Sequence, residues 1–247
     1  MLPPVSGARR IAVVPAYNES PTVIAVLDDL YPEVDELIVI DDGSTDDTRA
    51  KINHWLPGHD NARLLAFDRN RGMSAAYYAA FSELKQRLMN GELDANDLVL
   101  TVDADGQHDI SVLKLLHDQV EIHGFDAVIA RRDLADYPRY KKIGNAVMSQ
   151  WASWWAGTKF YDVESGYRIT RLGALADALT YYRGYRYSET VEVAIVLSRL
   201  GYKIGNDLLV PVPVFRSNTR WRDAVQDLCM CPVAWFRAVR RRPVRVR

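Results

Sequence analysis

Residues 98–109 read LVLTVDADGQHD, an apolar run of strand length followed by two aspartates one residue apart. Side chains alternate along an extended chain, so Asp103 and Asp105 point the same way. Two adjacent carboxylates repel each other unless a cation lies between them. Mg²⁺ and Mn²⁺ are oxygen-seeking cations usually shared with substrate phosphates. The stretch therefore predicts a buried strand that presents a metal site, with Gln107 and His108 as further ligands or as groups that contact the ligands. The alternative role, capping the next helix, suits Asp109 better.

The first 130 residues alternate between apolar runs and helix-like stretches. Helices are expected from Ser20 and Pro21, a capping hydroxyl followed by a first-turn proline, and over Met73–Leu88 and Ile110–His123. Strands are expected at Ile11–Pro15, Leu37–Ile40, Ala62–Phe67, Leu98–Val102 and Ala127–Ala130. Strands alternating with helices predict an α/β fold with a mostly parallel central sheet flanked by helices.

The loops that follow these strands carry unusual residues. In such sheets, ligands bind outside the carboxyl ends of the strands. Four of the loops contain carboxylates and the fifth contains two arginines: residues 15–20, 41–48, 68–72, 103–109 and 131–133. Asp42 suits hydrogen bonds to a nucleotide, and equally suits a turn. Asp46 and Asp47 suit the first turn of a helix, where the dipole favours acids, and are expected to be structural.

Beyond residue 133 the pattern changes, and the second half is read as built onto the first within one continuous domain. Its expected elements are helices at Tyr137–Gly157, at Ser188–Leu200 and from Trp221 onward with a kink at Pro232, a strand within Glu164–Thr170, and an extended segment at Leu208–Phe215.

Composition narrows the class of protein. Hydrophobic residues make up 48% of the 247 and the formal net charge is −1, which excludes a mainly disordered chain. Two cysteines exclude a disulfide scaffold and indicate a reducing compartment. No run is apolar for long enough to span a membrane, and the first ten residues do not resemble a signal peptide.

The neutral total hides an asymmetry. Residues 1–128 carry 10 basic and 22 acidic residues, whereas residues 129–247 carry 21 and 10. This division indicates a protein that holds a cation in its acidic half and binds an anion in its basic half. The alternative is that the asymmetry reflects chance and a basic tail. Phosphate-loop and dinucleotide glycine motifs are absent, as is a nucleophile elbow, which disfavours those enzymes and a nucleotidyltransferase.

Four motifs occur in order: PAYNES (15–20), VIDDGSTDDT (39–48), DADGQHD (103–109) and VESGYRI (163–169). Together they resemble glycosyltransferase family 2, and within it the branch of dolichyl-phosphate mannose synthase and other polyprenyl-phosphate glycosyltransferases. The resemblance covers Ile11 to Arg222. It implies a GT-A fold, a nucleotide-sugar donor, Mg²⁺ or Mn²⁺, and inverting transfer.

The resemblance also implies roles for individual residues. The donor would contact Pro15, Ala16, Tyr17, Glu19, Asp42, Asp103, Ala104 and Arg216. The metal would bind Asp103, Asp105 and Gln107. The acceptor or its phosphate would contact Arg132, Ser149, Ser165, Arg168 and Arg222, and the catalytic set would be Asp105, Arg132, Asp162 and Glu192. The sequence departs from the family where Met73 and Ser74 replace lysine and glycine, and where Thr219 and Trp221 replace glycine and serine.

The protonation state of the acceptor decides whether the reaction needs a general base. A phosphate monoester, with a second pKa near about 6, is a dianion at neutral pH and needs no general base. A hydroxyl acceptor would need one, for which Asp162 and Glu192 are candidates. We expect a hexosyl group to pass from a GDP- or UDP-linked sugar to a polyprenyl phosphate. A saccharide hydroxyl acceptor, or a nucleotide-sugar-binding protein with impaired catalysis, are the alternatives.

A polyprenyl acceptor would place the chain at the cytoplasmic membrane face as a peripheral protein. Tyr137–Tyr161 interleaves aromatic and basic residues, which suits either a headgroup interface or core packing. The arginines after residue 236 suit an anionic lipid surface or a solvated tail, and the acidic first half argues against nucleic acid. We expect a tail at 1–10, a catalytic domain at 11–222 divided at 132/133 into donor and acceptor halves, and an amphipathic basic segment at 223–247.

Overall fold

The computed structural model describes residues 7–182, 189–212 and 221–240. Its strands are β1 (Arg10–Ala16), β2 (Glu36–Asp41), β3 (Ala62–Ala66), β4 (Leu98–Thr101), β5 (Ala127–Ile129), β6 (Arg131–Arg132), β7 (Arg168–Arg171), β8 (Ile204–Gly205) and β9 (Leu209–Val210). Its helices are α1 (Val23–Leu30), α2 (Thr48–Trp55), α3 (Met73–Met89), α4 (Leu113–His123), α5 (Arg139–Ala156), α6 (Leu172–Leu179), α7 (Glu189–Leu200) and α8 (Trp221–Arg240).

Seven strands form the central sheet, in the order β3-β2-β1-β4-β7-β5-β8. Strand β7 runs antiparallel to β4 and β5, and the other pairings in this sheet are parallel. Strands β6 and β9 form a separate parallel pair. The predicted α/β fold with a mostly parallel sheet is confirmed, and the sequence pattern did not reveal the reversed strand in its middle.

Alternation along β1 divides the core into two layers. Ile11 and Val13 are buried in one apolar cluster, with side chains of α3, α5, α6, α7 and α8. Ala12 and Val14 are buried in the other, with α1, α2 and α4. The sheet is therefore covered on both faces, which explains why its central strands read as continuous apolar runs.

Several expected boundaries are wrong. Helix α1 begins at Val23 and not at Pro21, because the Glu19 carbonyl accepts from the amides of Thr22 and Val23 in a preceding turn. The strand expected within 164–170 begins only at Arg168, whose side chain bonds to the carbonyls of Val163 and Ser165 and holds that segment as a turn.

In the second half, helix α6 was not predicted. Helix α7 matches its prediction from Glu189 onward, and Ser188 lies outside the described residues. Strand β9 is the only strand that the described residues form within 208–212, and 213–215 lie beyond them. Helix α8 continues through Pro232, and no described helix has the length and apolar character needed to cross a bilayer.

Gly43 permits two loops to meet at the carboxyl end of the sheet. Its φ is +70°, in the left-handed region that favours glycine. A Cβ there would lie 2.3 Å from the carbonyl carbon of Arg69. The loop after β3 therefore rests directly on the loop after β2, at a position where no side chain fits.

Gly43→Ala should lower the free energy of unfolding by on the order of 3 kcal/mol, because backbone strain and a backbone clash coincide. Urea denaturation followed by circular dichroism measures this value. Gly58→Ala is the matched control, since Gly58 has a φ of +96° and open space around it. Its loss should be only about 1 kcal/mol. Equal losses in the two variants would show that the loop contact is unimportant.

Candidate active site

The loops after β1 and β2 are tied together by side chains. Asn18 has a φ of 57°, which asparagine tolerates better than most residues. Its backbone amide donates to Ser44 Oγ at 3.0 Å, and its Oδ1 accepts from the Thr45 amide at 2.8 Å. Asp46 accepts from the backbone amides of Ser20 and Thr48, as expected for a structural role. These bonds fix the expected donor loop, in which the Tyr17 ring is 42% exposed.

Asp42 holds the next loop of the same edge. Its two carboxylate oxygens accept from the backbone amides of Arg71 and Gly72, at 2.7 and 2.8 Å. Burial raises its pKa, and these two hydrogen bonds oppose that rise. These hydrogen bonds join two loops and do not form a turn around Asp42 itself, and its contact with a nucleotide stays a prediction. Because Gly72 immediately precedes α3, Asp42 also fixes where that helix begins.

Asp103 and Asp105 lie together beyond β4, as the spacing predicts. Burial raises the pKa of Asp103, against the positive charges of Arg132 and Arg168. Burial also raises the pKa of Asp105, and the charge of Asp103 adds to that rise. The pKa of Glu19 is raised by burial and next by Asp105. Three carboxyl groups from two loops therefore share a region of strong negative potential.

The Asp103 carboxylate packs against the turn that precedes β7. Its Oδ1 is buried without a hydrogen-bond partner among the described residues. A Cβ on Gly166 would lie 2.7 Å from Oδ2, so only glycine lets the carboxylate lie this close to the turn. The described residues contain no cluster of three His, Cys, Asp or Glu side chains that could enclose a metal. The predicted ligands Asp103, Asp105 and Gln107 therefore stay a prediction; the backbone N–H of Gln107 donates to Asp105 Oδ1 at 2.9 Å.

His108 orients Asp103. Its Nδ1 accepts from the Asp103 backbone amide at 3.1 Å, and its Nε2 lies 3.6 Å from Asp103 Oδ2. Burial lowers the pKa of His108 to about 4, so the ring is neutral. With Nδ1 accepting, the ring proton is on Nε2 and faces the carboxylate. The ring stacks on Tyr167 at 4.8 Å, and the Tyr167 hydroxyl donates to the Asp109 carbonyl.

Arg132 is held by Asp162. Its Nε and Nη2 donate to the two Asp162 oxygens at 2.7 and 2.9 Å, and its backbone amide donates to the same group. Asp162 is 2% exposed. Oriented to donate, the Asn145 amide of α5 bonds both Asp162 and Glu164. Burial raises the pKa of Glu164, against the charge of Arg132.

Four further residues that were predicted for the acceptor or catalytic set have buried side chains. Arg168 donates from three nitrogens to the carbonyls of Val163, Ser165 and Thr190. Ser149 Oγ accepts from the Val163 amide, and the Ser165 side chain is fully buried. Glu192 is fully buried and pairs with Arg237 of α8 at 2.9 Å. These groups support the 160–165 segment and helix α7 in this structure.

Two candidates of the basic second half remain untested by the geometry. Arg216 lies outside the described residues, and so does the side chain of Arg222 at the start of α8.

Glu189, which sequence reasoning missed, lies behind the aspartate pair at the start of α7. It is 3% exposed and lines a cavity of about 20 Å³ with Arg168 and Thr101, large enough for one water. Burial raises its pKa to about 7, Asp103 and Glu192 add to the rise, and Arg168 opposes it. In the sequence it is one acid at the start of a helix, which is the most common place for a solvent-exposed acid.

The raised pKa of Glu189 makes stability depend on pH. Between the ordinary glutamate pKa of 4.5 and a pKa of about 7, the folded state binds the proton more tightly, so the free energy of unfolding falls as pH rises. Glu189→Gln removes this loss. Relative to wild type it should gain up to about 3 kcal/mol between pH 4.5 and pH 8, measured by urea denaturation. The exposed Asp60→Asn is the control, and a pH-independent difference for Glu189→Gln would contradict a buried, titrating carboxyl.

Comparisons with known proteins agree with this geometry. Residues 11–187 match the model of "Glycosyl transferase family 2". The chain is 28% identical over 211 residues to the UDP-N-acetylglucosamine–dolichyl-phosphate N-acetylglucosaminyltransferase of Methanococcus voltae, covering 78% of this chain and 81% of that relative. It is 25% identical over 207 residues to the dodecaprenyl-phosphate galacturonate synthase of Rhizobium johnstonii, covering 80% and 58%.

A solved structure shares the fold. Glucosyl-3-phosphoglycerate synthase from Mycobacterium tuberculosis, in complex with Mn²⁺, UDP and glucosyl-3-phosphoglycerate, superposes with a TM-score of 0.64 at 18% identity, over 95% of this chain and 81% of that one. The chain therefore has the GT-A fold, with its mostly parallel central sheet flanked by helices. The family match covers most of the chain and includes the Asp103–Asp105 pair, so this protein belongs to glycosyl transferase family 2.

Proposed function

We propose that this glycosyltransferase moves a hexosyl group from a GDP- or UDP-linked sugar to a polyprenyl phosphate, with inversion, at the cytoplasmic face of a membrane. The observation that carries the proposal is the state of the two candidate bases. Asp162 is bound bidentately by Arg132, and Glu192 is buried against Arg237. A carboxylate paired with arginine is a poor proton acceptor, and a phosphate acceptor requires none.

The names of relatives support a lipid-phosphate acceptor. The Methanococcus voltae enzyme is named for dolichyl phosphate and the Rhizobium johnstonii enzyme for dodecaprenyl phosphate. Both share the segment that contains Asp103, Arg132 and Asp162, since each alignment covers more than three quarters of this chain.

Asp103, Asp105 and Gln107 would hold Mg²⁺ or Mn²⁺. The observations that fit a cation are the raised pKa values of the two aspartates and the buried Asp103 Oδ1, which has no hydrogen-bond partner among the described residues. A divalent cation with few protein ligands shares its remaining positions with substrate phosphates. When bound, it supplies the charge that stabilises a diphosphate leaving group.

The remaining roles belong to the chain's own side chains. Tyr17 offers an exposed ring to the nucleotide, beside Pro15, Ala16, Glu19 and the loop that Asp42 holds. Arg132, kept rigid by Asp162, presents charge to the acceptor phosphate. A phosphate oxygen attacks the anomeric carbon, forming the new sugar–oxygen bond. The bond to the nucleoside diphosphate breaks on the opposite face, and the configuration inverts.

A saccharide hydroxyl acceptor is the second candidate. The observation that favours it is Glu164, a partly exposed carboxyl with a raised pKa beside Arg132. A base with a raised pKa is better suited to accept a hydroxyl proton at neutral pH. The activity test below separates the two acceptors directly.

The first test measures nucleoside diphosphate release from GDP- and UDP-sugars with Mn²⁺ or Mg²⁺, with and without a short polyprenyl phosphate. We expect release to require both metal and lipid phosphate. Asp105→Asn should lower nucleoside diphosphate release by on the order of 100-fold or more. The reason is that the cation that would stabilise the diphosphate leaving group loses a charged ligand. Asp109→Asn, which removes a carboxylate that caps the next turn, should keep most of the activity. Release with a saccharide but not with the lipid phosphate would establish the second candidate instead.

His108 should set metal affinity through Asp103 without touching the metal. Removal of an outer-shell partner typically costs about 10–100-fold in affinity, so His108→Leu should weaken Mn²⁺ binding by that range. His108→Asn, which retains an acceptor, should recover part of the loss. Electron paramagnetic resonance of free Mn²⁺, with UDP or GDP present, measures the affinity.

Tyr167→Phe is the matched control for His108, because it keeps the stacked ring and removes only the hydroxyl. It should bind Mn²⁺ nearly as tightly as wild type. Equal weakening by His108→Leu and His108→Asn, with both variants folded, would show that the Nδ1 contact does not position Asp103.

A further inference from the structure

Helix α5 exposes an apolar stripe. Its members lie three or four residues apart, which places them on one side of the helix. They are between 38% and 71% exposed: Tyr140, Ile143, Val147, Trp151 and Trp154. We call these residues the α5 stripe. The opposite side is buried at Met148, Ala152 and Ala156, so the helix is apolar on two sides, and among the described residues only that buried side packs into the core.

Helix α8 continues this exposed surface. Val233, Phe236 and Val239 are 38–52% exposed and also lie three residues apart. The two helices are joined where Trp151 Nε1 donates to the Leu228 carbonyl at 3.0 Å and Trp155 contacts Trp235. The stripe and these three residues therefore form one exposed apolar surface built on two packed helices.

The two helices of this surface carry basic residues at their ends. Helix α5 contains Arg139, Lys141 and Lys142 in its first turn and no acidic residue. Lys159 follows the helix, and Arg240 ends α8 and lies over the Phe236 ring. An apolar surface with tryptophan and tyrosine, bordered by lysine and arginine, matches the boundary between lipid headgroups and acyl chains.

We propose that the α5 stripe, with Val233, Phe236 and Val239, docks onto a bilayer that contains anionic lipid. A second copy of the chain fits the surface less well, because the basic residues of the two copies would face each other. Anionic headgroups are instead attracted by each of these lysine and arginine side chains. Insertion of the stripe to the headgroup boundary removes its apolar side chains from water.

The same helix links this surface to the site. On the other side of α5, Asn145 bonds Asp162 and Glu164, and Ser149 accepts from the Val163 amide. A helix with its side chains is about 10–12 Å across, so one helix separates the bilayer surface from the carboxylate that holds Arg132. Docking through α5 would set the height of Arg132 above the headgroups. This functional consequence rests on the proposed lipid-phosphate acceptor.

The test is sedimentation with vesicles of phosphatidylcholine, with and without 30% phosphatidylglycerol, which is about the anionic content at which basic segments gain affinity. We expect wild type to bind the anionic vesicles and to dissociate as salt increases. Ile143→Ser/Trp154→Ser should lower the vesicle partition coefficient by about tenfold or more, because two apolar side chains no longer insert. Leu115→Ser/Ile122→Ser on α4, which removes comparably exposed side chains, is the matched control and should bind as wild type does.

Turnover separates this proposal from the proposed function. With a short polyprenyl phosphate dispersed in detergent, the stripe variant should retain wild-type activity, whereas with acceptor embedded in vesicles it should lose activity as it loses binding. Vesicle binding that depends on the stripe, without turnover on any lipid phosphate, would support the docking surface and overturn the function. Absent vesicle binding, equal loss in both variants, or a dimer in size-exclusion chromatography that only the stripe variant abolishes would overturn the docking surface.

Discussion

Repulsion between the carboxylates of Asp103 and Asp105 is the constraint to which the rest of the site responds. Burial at the end of β4 makes each negative charge costly, and the neighbour makes it costlier. The fold meets this cost locally. Gly166 lets the Asp103 carboxylate lie against the turn before β7, His108 fixes its backbone, and the charges of Arg132 and Arg168 act on it from the other strands. A bound cation would offset the same repulsion, which is the role of the proposed metal site.

The arginines divide into two kinds by their partners. Arg168 gives its donors to three backbone carbonyls, so its charge acts at a distance while its geometry supports the chain. The Arg132 side chain donates two hydrogen bonds to Asp162 and remains partly exposed, with 25% of its surface accessible. Only the second kind can meet a phosphate. The same ion pair that keeps Arg132 rigid occupies both oxygens of Asp162, so the proposed choice of acceptor depends on this one contact.

Sequence patterns predicted the strands and the loops at their ends because burial on both faces imposes apolar runs and turn residues. They also predicted that Asp103 and Asp105 lie together, although both follow the end of β4 at Thr101, so the loop and not alternation along a strand sets their directions. They could not predict the direction of Ser149, Arg168 or Glu192, which depends on contacts between distant segments. The resemblance supplied residue types at those positions, and residue type does not show whether a side chain faces a substrate or a carbonyl.

The antiparallel direction of β7 is another feature that the sequence pattern could not predict, and it brings distant segments together at the site. An antiparallel strand in the middle of the sheet brings the turn at 163–166 to the carboxyl end of β4, so that Gly166 meets Asp103. The carboxyl group of Asp162 then lies beside Arg132, which follows β5 on the other side of β7. Neither contact is local in sequence. Helix α5 lies between these two segments in the chain, and its buried side anchors the turn through Asn145 and Ser149. Because a packed helix moves as a rigid body, whatever fixes the exposed side of α5 also constrains the residues that hold Arg132.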